Sequence, residues 1–234
     1  MKSLLRILCG LILVCCISAA LAGGPDVPPP PVTYDGFYVG LGGTYNSLAV
    51  HHQDPFVAVN YQDYTSNLNK LAPIFQLGYW GMISDDFMFG VKAFYKYLNA
   101  RPHLVYNAGG ANIFTEDNEV DHEVALLLLF GVQVHDVLLY LGGGVVVFPS
   151  TQAKFHHTLA GGGFFTACNT FWGGIGQIGL NYYFNPWWFM DASYTYAQTS
   201  SVFYNTTVGT GQAPYHLRYS IVNQEFIFTL NRRF

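Results

Sequence analysis

The residues best placed for catalysis in this sequence are a histidine and a serine near its carboxyl end. His216 and Ser220 lie four residues apart, and in an extended strand an even spacing places both side chains on the same face. The alternation of the residues that follow assigns that face to the apolar exterior of the strand. We therefore expect no catalytic residues and no enzymatic activity.

Histidine pairs are the residues that could bind a metal ion. His51 and His52 form one pair, and His156 and His157 form another. Adjacent side chains point to opposite sides of an extended chain, so each pair can offer one ligand at most. A shared site, completed by His103, would require the intervening loops to meet. The sequence predicts no metal site and no cofactor.

Charged and amide side chains recur on one parity of several strand-like segments, opposite a parity of apolar residues. The members of this inward-facing polar set are Gln76, Lys92, Lys96, Gln133, Gln177, Asn181, Asp191, Asn223 and Glu225. Buried charges must pair, because an unpaired charge carries a large desolvation cost. Such a network is either a structural plug or a gate across a narrow channel, and the small lumen of an eight-stranded barrel favours the plug.

The composition indicates which kind of protein would hold such a network. The chain is 51% hydrophobic and 17% aromatic but only 10% charged, whereas soluble domains carry about 25% charged residues. After the first 22 residues no apolar run is long enough for a membrane-spanning helix. A closed β-barrel reconciles these facts, because each strand needs apolar side chains only at every second position.

Eight segments show the period-two pattern of strands. They are GFYVGLGGTYN, IFQLGYWGMI, FMFGVKAFYKYL, HEVALLLLFGVQV, VLLYLGGGVVVF, GIGQIGLNYYF, WWFMDASYTYA and QEFIFTLNRRF. The alternation is weakest in the fifth segment, whose parity the sequence does not assign. Together the segments predict an all-β fold, an eight-stranded antiparallel up-and-down transmembrane β-barrel.

The connections between these segments alternate in length, which orients the barrel. Short turns are expected near 84–86, 135–136 and 185–186, and long loops near 51–70, 100–119, 150–173 and 200–216. Outer-membrane barrels have short periplasmic turns and longer extracellular loops. Four aromatic residues lie at the turn ends of the strands, where membrane-interface rings are expected: Phe87, Trp187, Trp188 and Phe234. By parity Arg232 faces outward there, and we expect it to reach the lipid headgroups.

The two ends of the sequence predict export. Residues 1–22 have the basic start, apolar run and A-x-A-like site of a signal peptide. Residues 23–33 read as a proline-rich periplasmic spacer, and residues 34–234 as the barrel. Removing the signal leaves Cys168 as the one cysteine and a net charge of −6. This mild acidity argues against nucleic-acid binding.

The opening DGFYVGLGGTYN after a signal and spacer, together with the terminal Phe234, resembles the small outer-membrane β-barrel superfamily of Gram-negative bacteria. This group includes the OmpA transmembrane domain, the opacity-type proteins and OmpW-like barrels. The resemblance implies contact with outer-membrane lipid and lipopolysaccharide, and insertion by the barrel-assembly machinery, which would read Phe234 as its signal.

The function expected of such a barrel is structural and surface-interactive. Four extracellular loops would be presented to a host or environmental ligand. The alternative is a narrow channel or transporter for ions or a small hydrophobic solute, which would use the inward polar set. A lipid-modifying barrel enzyme comes third.

Overall fold

The computed structural model describes residues 34–53, 63–84, 86–108, 111–157, 164–206 and 215–234. The predicted signal peptide and spacer therefore lie outside the described residues and stay predictions. Within the described ranges the chain forms ten β-strands. These are β1 (Gly36–Gln53), β2 (Asp63–Met82), β3 (Phe87–Ala100), β4 (His103–Ala108), β5 (Ala111–Val134), β6 (Val137–His157), β7 (Phe164–Asn185), β8 (Trp188–Thr199), β9 (Val202–Thr206) and β10 (Tyr215–Arg233).

The strands close into an antiparallel barrel. Its order is β1-β2-β3-β5-β6-β7-β8-β10, and β10 pairs back onto β1 from Tyr38–Arg233 to Gln53–Arg218. The two remaining strands are extensions, because β4 continues β3 along β5 and β9 continues β8 along β10. The predicted eight-stranded up-and-down barrel is confirmed.

In its membrane-facing part the barrel is apolar outside, and its lumen holds the polar set among buried apolar side chains such as Leu127 and Phe189. In β3, positions 88, 90, 92, 94, 96, 98 and 100 are buried, while the residues between them are exposed or half-buried. Exposed apolar residues surround this part and include Phe37, Leu41, Phe75, Leu126, Leu128, Phe130, Leu141, Ile178, Phe228 and Leu230. Since such a surface suits hydrocarbon, the alternation positions the polar set in the lumen.

The end of the barrel that carries the short connections, here called the turn end, is rimmed by aromatic residues. Short connections join β2 to β3, β5 to β6 and β7 to β8. Phe87, Trp187, Trp188 and Phe234 are all exposed at this end. The Arg232 guanidinium lies over the Trp188 and Phe234 rings, with 5.8 and 5.3 Å to their centroids. Its charge is thus held against two rim aromatics.

Among the residues that the structure describes, no helix is both long and apolar enough to cross a membrane.

The predicted long loops were wrong in their bounds. Taken together, most residues of the four predicted loops (51–70, 100–119, 150–173 and 200–216) belong to strands. The strands β1, β2, β5, β6, β7 and β10 run 18 to 24 residues. A membrane requires only about 9–11 residues per strand. The barrel therefore continues well past its apolar band at the opposite end, here called the loop end.

The alternation inverts where the strands leave the apolar band, and this inversion explains the error. In β1, Leu41 and Tyr45 are exposed, but further along Leu48 and Val50 are buried while Ser47 is exposed. Lipid surrounds the first stretch and water the second, so apolar side chains change sides. A strand whose apolar side chains move from the outward to the inward parity midway loses its continuous period-two signal.

The wall of the loop end has two seams without ladder hydrogen bonds. Among the described residues, the β2–β3 ladder ends at Ile74–Lys96, although β2 stays paired with β1 as far as Asp63. The β7–β8 ladder ends at Gly173–Thr199, and β9 pairs with β10 rather than with β7. The loop end is thus two sheets, β9-β10-β1-β2 and β4-β5-β6-β7, facing each other.

Candidate functional site: the polar network inside the barrel

A first ion pair lies deep in the lumen between β3 and β8. The Lys92 ammonium donates to Asp191 Oδ2 at 2.5 Å, and both side chains are buried. The Tyr140 hydroxyl donates to Asp191 Oδ1 at 2.7 Å. The Gln76 amide donates to Asp191 at 3.2 Å and to Thr229 Oγ1 at 2.7 Å. Both oxygens of the Asp191 carboxylate therefore accept hydrogen bonds from protein donors.

A second ionic cluster lies next to it, toward the loop end. Lys96 donates to Glu123 Oε1 at 2.6 Å and also to Glu225 Oε2. The Asn223 amide donates to the other Glu123 oxygen at 2.8 Å and to Asn46 Oδ1 at 3.2 Å. One ammonium on β3 thus ties together strands that are distant in sequence.

The two clusters contain more carboxyl groups than ammonium groups. Two ammonium groups, Lys92 and Lys96, face three carboxylates, Asp191, Glu123 and Glu225. All five side chains are buried. Because buried charge is costly unless compensated, the excess carboxylate makes Lys96 the most critical cation of the lumen.

Aromatic side chains fill the lumen below these clusters. Trp80 packs edge-on against Tyr140 with 5.7 Å between centroids, and Tyr38 packs against Phe189 at 5.2 Å. At the rim, the Tyr34 hydroxyl donates to Asp136 at 3.2 Å. Burial, and then the Asp136 charge, raise the pKa of Tyr34, which keeps its phenol a donor. The turn-end mouth is filled by side chains.

A third polar pair lies between the two loop-end sheets. His52 Nδ1 lies 2.6 Å from Glu116 Oε2, and both side chains are buried. The Asn118 amide donates to the other Glu116 oxygen at 2.6 Å. The His52 ring packs on Tyr219 with 4.5 Å between centroids. This pair links β1 to β5 across a largely apolar interior.

Comparison with known proteins places this barrel in a family. Outer membrane protein P1 of Coxiella burnetii (strain RSA 493 / Nine Mile phase I) is 31% identical over 228 residues, which cover 91% of this chain and 86% of that protein. The chain belongs to the outer membrane protein P1 family. It is an outer-membrane β-barrel protein of the Gram-negative type. No protein-family profile matches the chain.

Two solved outer-membrane proteins are similar to this P1-family chain at low identity. Ail, the attachment invasion locus protein of Yersinia pestis, solved with the heparin analogue sucrose octasulfate, is 14% identical; the match covers 86% of this chain and 99% of Ail, with a TM-score of 0.44. The outer membrane protein OprG from Pseudomonas aeruginosa is 12% identical; the match covers 88% of this chain and 99% of OprG, with a TM-score of 0.47.

The other polar residues predicted for the interior of this P1-family barrel occupy different positions. Gln177 is buried and donates to Ser193 Oγ at 2.9 Å, and Asn181 is also buried. Gln133 keeps the predicted inward parity, and its Oε1 is buried. Gln133 lies at the turn-end rim, where its amide donates to the His135 carbonyl oxygen, because the strand reaches its turn there.

Several partners in the network were missed from the sequence. Glu123 lies at the start of the fourth predicted segment and shares the parity of Ala125 and Leu127, so continuing the inward face to the first residues of that segment would have found it. Tyr140 was missed because Gly142, Gly143 and Gly144 carry no side chains to set a parity. His52, Glu116 and Asn118 lie beyond the inversion of the alternation, where the parity rule fails.

Of the candidate histidines, the described side chains of His51, His52 and His103 have separate partners. His51 is exposed beside Thr65, with 3.0 Å between its ring nitrogen and the hydroxyl. His103 pairs with Asp117 at 2.5 Å on the exterior. No cluster of three or more metal-binding side chains occurs in the described part of the chain. The side chains of His156, His157 and His216 lie outside the described residues.

Surface ion pairs decorate one sector of the loop-end exterior. Arg101 donates to Asp121 at 2.5 Å, and Lys154 donates to Glu119 at 2.6 Å. These side chains are partly exposed. Exposed pairs of this kind contribute little to stability. A substitution in one of them is therefore a suitable control for a substitution in a buried pair.

The two adjacent histidines allow a direct test of the third pair. We expect His52→Ala to lower the free energy of unfolding by about 1–3 kcal/mol, because Glu116 would stay buried with one partner fewer. The exposed neighbour His51 is the control. The variant His51→Ala should change the free energy of unfolding by less than about 0.5 kcal/mol. Urea unfolding in detergent micelles, followed by tryptophan fluorescence, measures both. Equal losses would contradict the buried pairing.

Proposed function

We propose that this P1-family protein is a closed barrel that anchors a surface-exposed, two-sheet extension, and that the extension interacts with a ligand outside the cell. The observation that supports this function is the filled lumen. Aromatic side chains, two ionic clusters and an apolar core succeed one another along the barrel, and their members are buried. An open pore would need a continuous water-filled path instead.

The proposal includes an orientation of the barrel in the outer membrane and a route for its insertion. The turn end would face the periplasm after Sec-type export, and the loop end would extend beyond the outer leaflet. The apolar band would contact outer-membrane lipid and lipopolysaccharide. Phe234, exposed at the turn-end rim, would be the residue read by the barrel-assembly machinery. In this role the protein carries no enzymatic activity and no cofactor.

Planar-bilayer recording tests the closed lumen. We expect the purified protein, inserted at neutral pH, to show no conductance steps above those of protein-free bilayers, because the Lys96 and Asp191 clusters cross the lumen. A parallel sample must show heat-modifiable migration on a gel, which demonstrates that the barrel is folded. Steady conductance from the folded protein would contradict the proposal.

A gated channel is the second candidate, and one observation favours it. Lys96 is shared between Glu123 and Glu225, so the ammonium can exchange one carboxylate for the other without losing all its partners. If that exchange opens a path, Glu225→Gln will produce conductance steps where the unmodified protein shows none, and the surface variant Lys154→Gln will not. A silent, folded Glu225→Gln protein would exclude this gate.

A further inference from the structure

The interior between the two loop-end sheets is an apolar layer. Seven aliphatic or aromatic side chains in it are at most 4% exposed: Leu48, Val50, Leu98, Val120, Phe148, Phe171 and Ile221. Polar side chains are also buried in this layer, and among the described residues the His52–Glu116 pair links the two sheets. Side-chain packing, rather than a hydrogen-bond ladder, therefore holds the sheets together at the seams.

The seam between β2 and β3 has a cause in the sequence. Pro73 occupies the first β2 position beyond the last ladder pair, and it has no backbone N–H to donate. On the other strand Asn99 has a φ of 44°, in the left-handed region, next to a register shift. Both features stop regular pairing here, so the strands can separate at this place without losing ladder bonds.

The base of this seam lies where the exterior changes from apolar to polar. Leu71 is 75% exposed and Tyr97 44% exposed, on either side of the seam. Beyond them the outward residues are polar, including Asn67, Asn69 and Arg101. This boundary corresponds to the level of the lipid headgroups. The seam thus connects the headgroup region with the apolar layer.

A cation stands at the seam. The Lys70 ammonium crosses from β2 and donates to the Asn99 backbone carbonyl oxygen. Lys92, Lys96 and Lys154 each pair with a carboxylate, whereas no described carboxylate lies within ion-pair distance of Lys70. An ammonium held by one neutral oxygen retains donors for an anionic group.

We propose that this seam binds an amphiphile with a single alkyl chain and an anionic head group. The chain would lie between the two sheets, and the head group would bind Lys70. Separating the sheets exposes apolar side chains, but an alkyl chain covers them again, and its own CH₂ groups are removed from water. A single chain requires the sheets to separate by one chain's width, whereas a two-chain lipid would require about twice that separation.

This site is distinct from transport through the barrel. Lys96 and its two carboxylates lie at the base of the seam and block the lumen below it. The amphiphile would therefore be held at the surface. Its binding does not depend on whether the protein also recognises a ligand through its loop-end exterior.

Binding can be measured with cis-parinaric acid added to the full-length protein in lipid nanodiscs. Energy transfer from the protein's tryptophans reports occupancy, and empty nanodiscs give the partition background. We expect saturable binding, weakened roughly tenfold by Lys70→Gln, since that change removes one charge-assisted contact. Lys154→Gln, a lysine change on β6 rather than at the edges of the seam, should bind as the unmodified protein does.

Competition identifies the head group. Dodecanoate and dodecyl phosphate should both displace the probe if any anionic head suffices, and displacement by one of them alone would name the carboxylate or the phosphate. Dodecanol, with the same chain and no charge, should be a much weaker competitor. Displacement by dodecanol as strong as by the two anions would overturn the role of Lys70.

A cross-link across the seam tests the entry path. By extension of the ladder register, Leu71 lies opposite Asn99, so Leu71→Cys and Asn99→Cys can be joined by a short bis-maleimide in a Cys168→Ser background. Binding should be lost after cross-linking and retained in the same variant without the reagent. Undiminished binding by the cross-linked barrel, or no saturable binding by the unmodified protein, would refute the proposed site.

Discussion

Replacing Lys96 by methionine will lower the free energy of unfolding by about 3–5 kcal/mol, because removing one partner of a buried ion pair leaves the other charge uncompensated. Here two carboxylates, Glu123 and Glu225, lose their cation at once, and all three side chains are buried. Methionine preserves most of the volume, so the loss reports charge rather than a cavity. Urea unfolding in micelles, followed by tryptophan fluorescence, measures it.

Two further variants separate charge from side-chain loss. Lys154→Met removes a lysine from a partly exposed pair with Glu119 and should cost at most about 1 kcal/mol. Adding Glu123→Gln and Glu225→Gln to Lys96→Met removes the unpaired charges and should restore most of the stability. The account of the network is wrong if Lys96→Met unfolds like the unmodified protein, or if the triple variant is no better than the single one.

Replacing Gly144 by alanine will destabilise the barrel by about 3 kcal/mol, at the upper end of the cost of overpacking. A Cβ at this position would lie 1.9 Å from the Leu126 carbonyl oxygen. The obstacle is backbone of the neighbouring strand, so no side-chain rotation relieves it, and β5 and β6 must move apart. We expect a lower urea midpoint and incomplete heat-modifiable migration.

Gly174 provides the matched control on the next strand. A Cβ there meets nothing within 4 Å, and the residue faces outward. Gly174→Ala should therefore change the free energy of unfolding by less than about 0.5 kcal/mol. If the two alanine variants behave alike, the close approach of β5 and β6 does not limit stability, and the Gly142–Gly144 run has another cause.

The expected costs indicate how an eight-stranded barrel of this family can be stable with buried charges among the apolar side chains of its lumen. Lys92 and Lys96 satisfy carboxylates from β5, β8 and β10, so each ammonium connects strands that are not neighbours in the wall. Buried ionic groups seldom increase net stability over apolar ones. Their consequence here is a filled lumen, which is the basis of the proposed closed barrel.

Part of this site could be predicted from the sequence. Lys92, Lys96, Asp191 and Glu225 share the parity opposite the apolar face, so their inward orientation follows from local alternation. Their pairing does not, because Lys96 and Glu225 are 129 residues apart. Which carboxylate meets which ammonium depends on strand order and register around the closed barrel.

Local sequence patterns specify the architecture of the membrane-spanning part. Scarcity of charge, period-two alternation and short turns all follow from a strand between lipid and a narrow lumen, and they can be detected within about ten residues. They sufficed for the strand number, the outward apolar face and the inward lysines. These features are local, so a local pattern carries them.

The arrangement of side chains and strands beyond the apolar band depends on tertiary contacts. There the solvent changes from lipid to water, so Leu48 and Val50 turn inward and the parity rule inverts. The seam beyond Ile74–Lys96 and the His52–Glu116 link likewise depend on which strands face each other in space. Contacts between sheets are set by the closure of the whole barrel, which no single segment encodes.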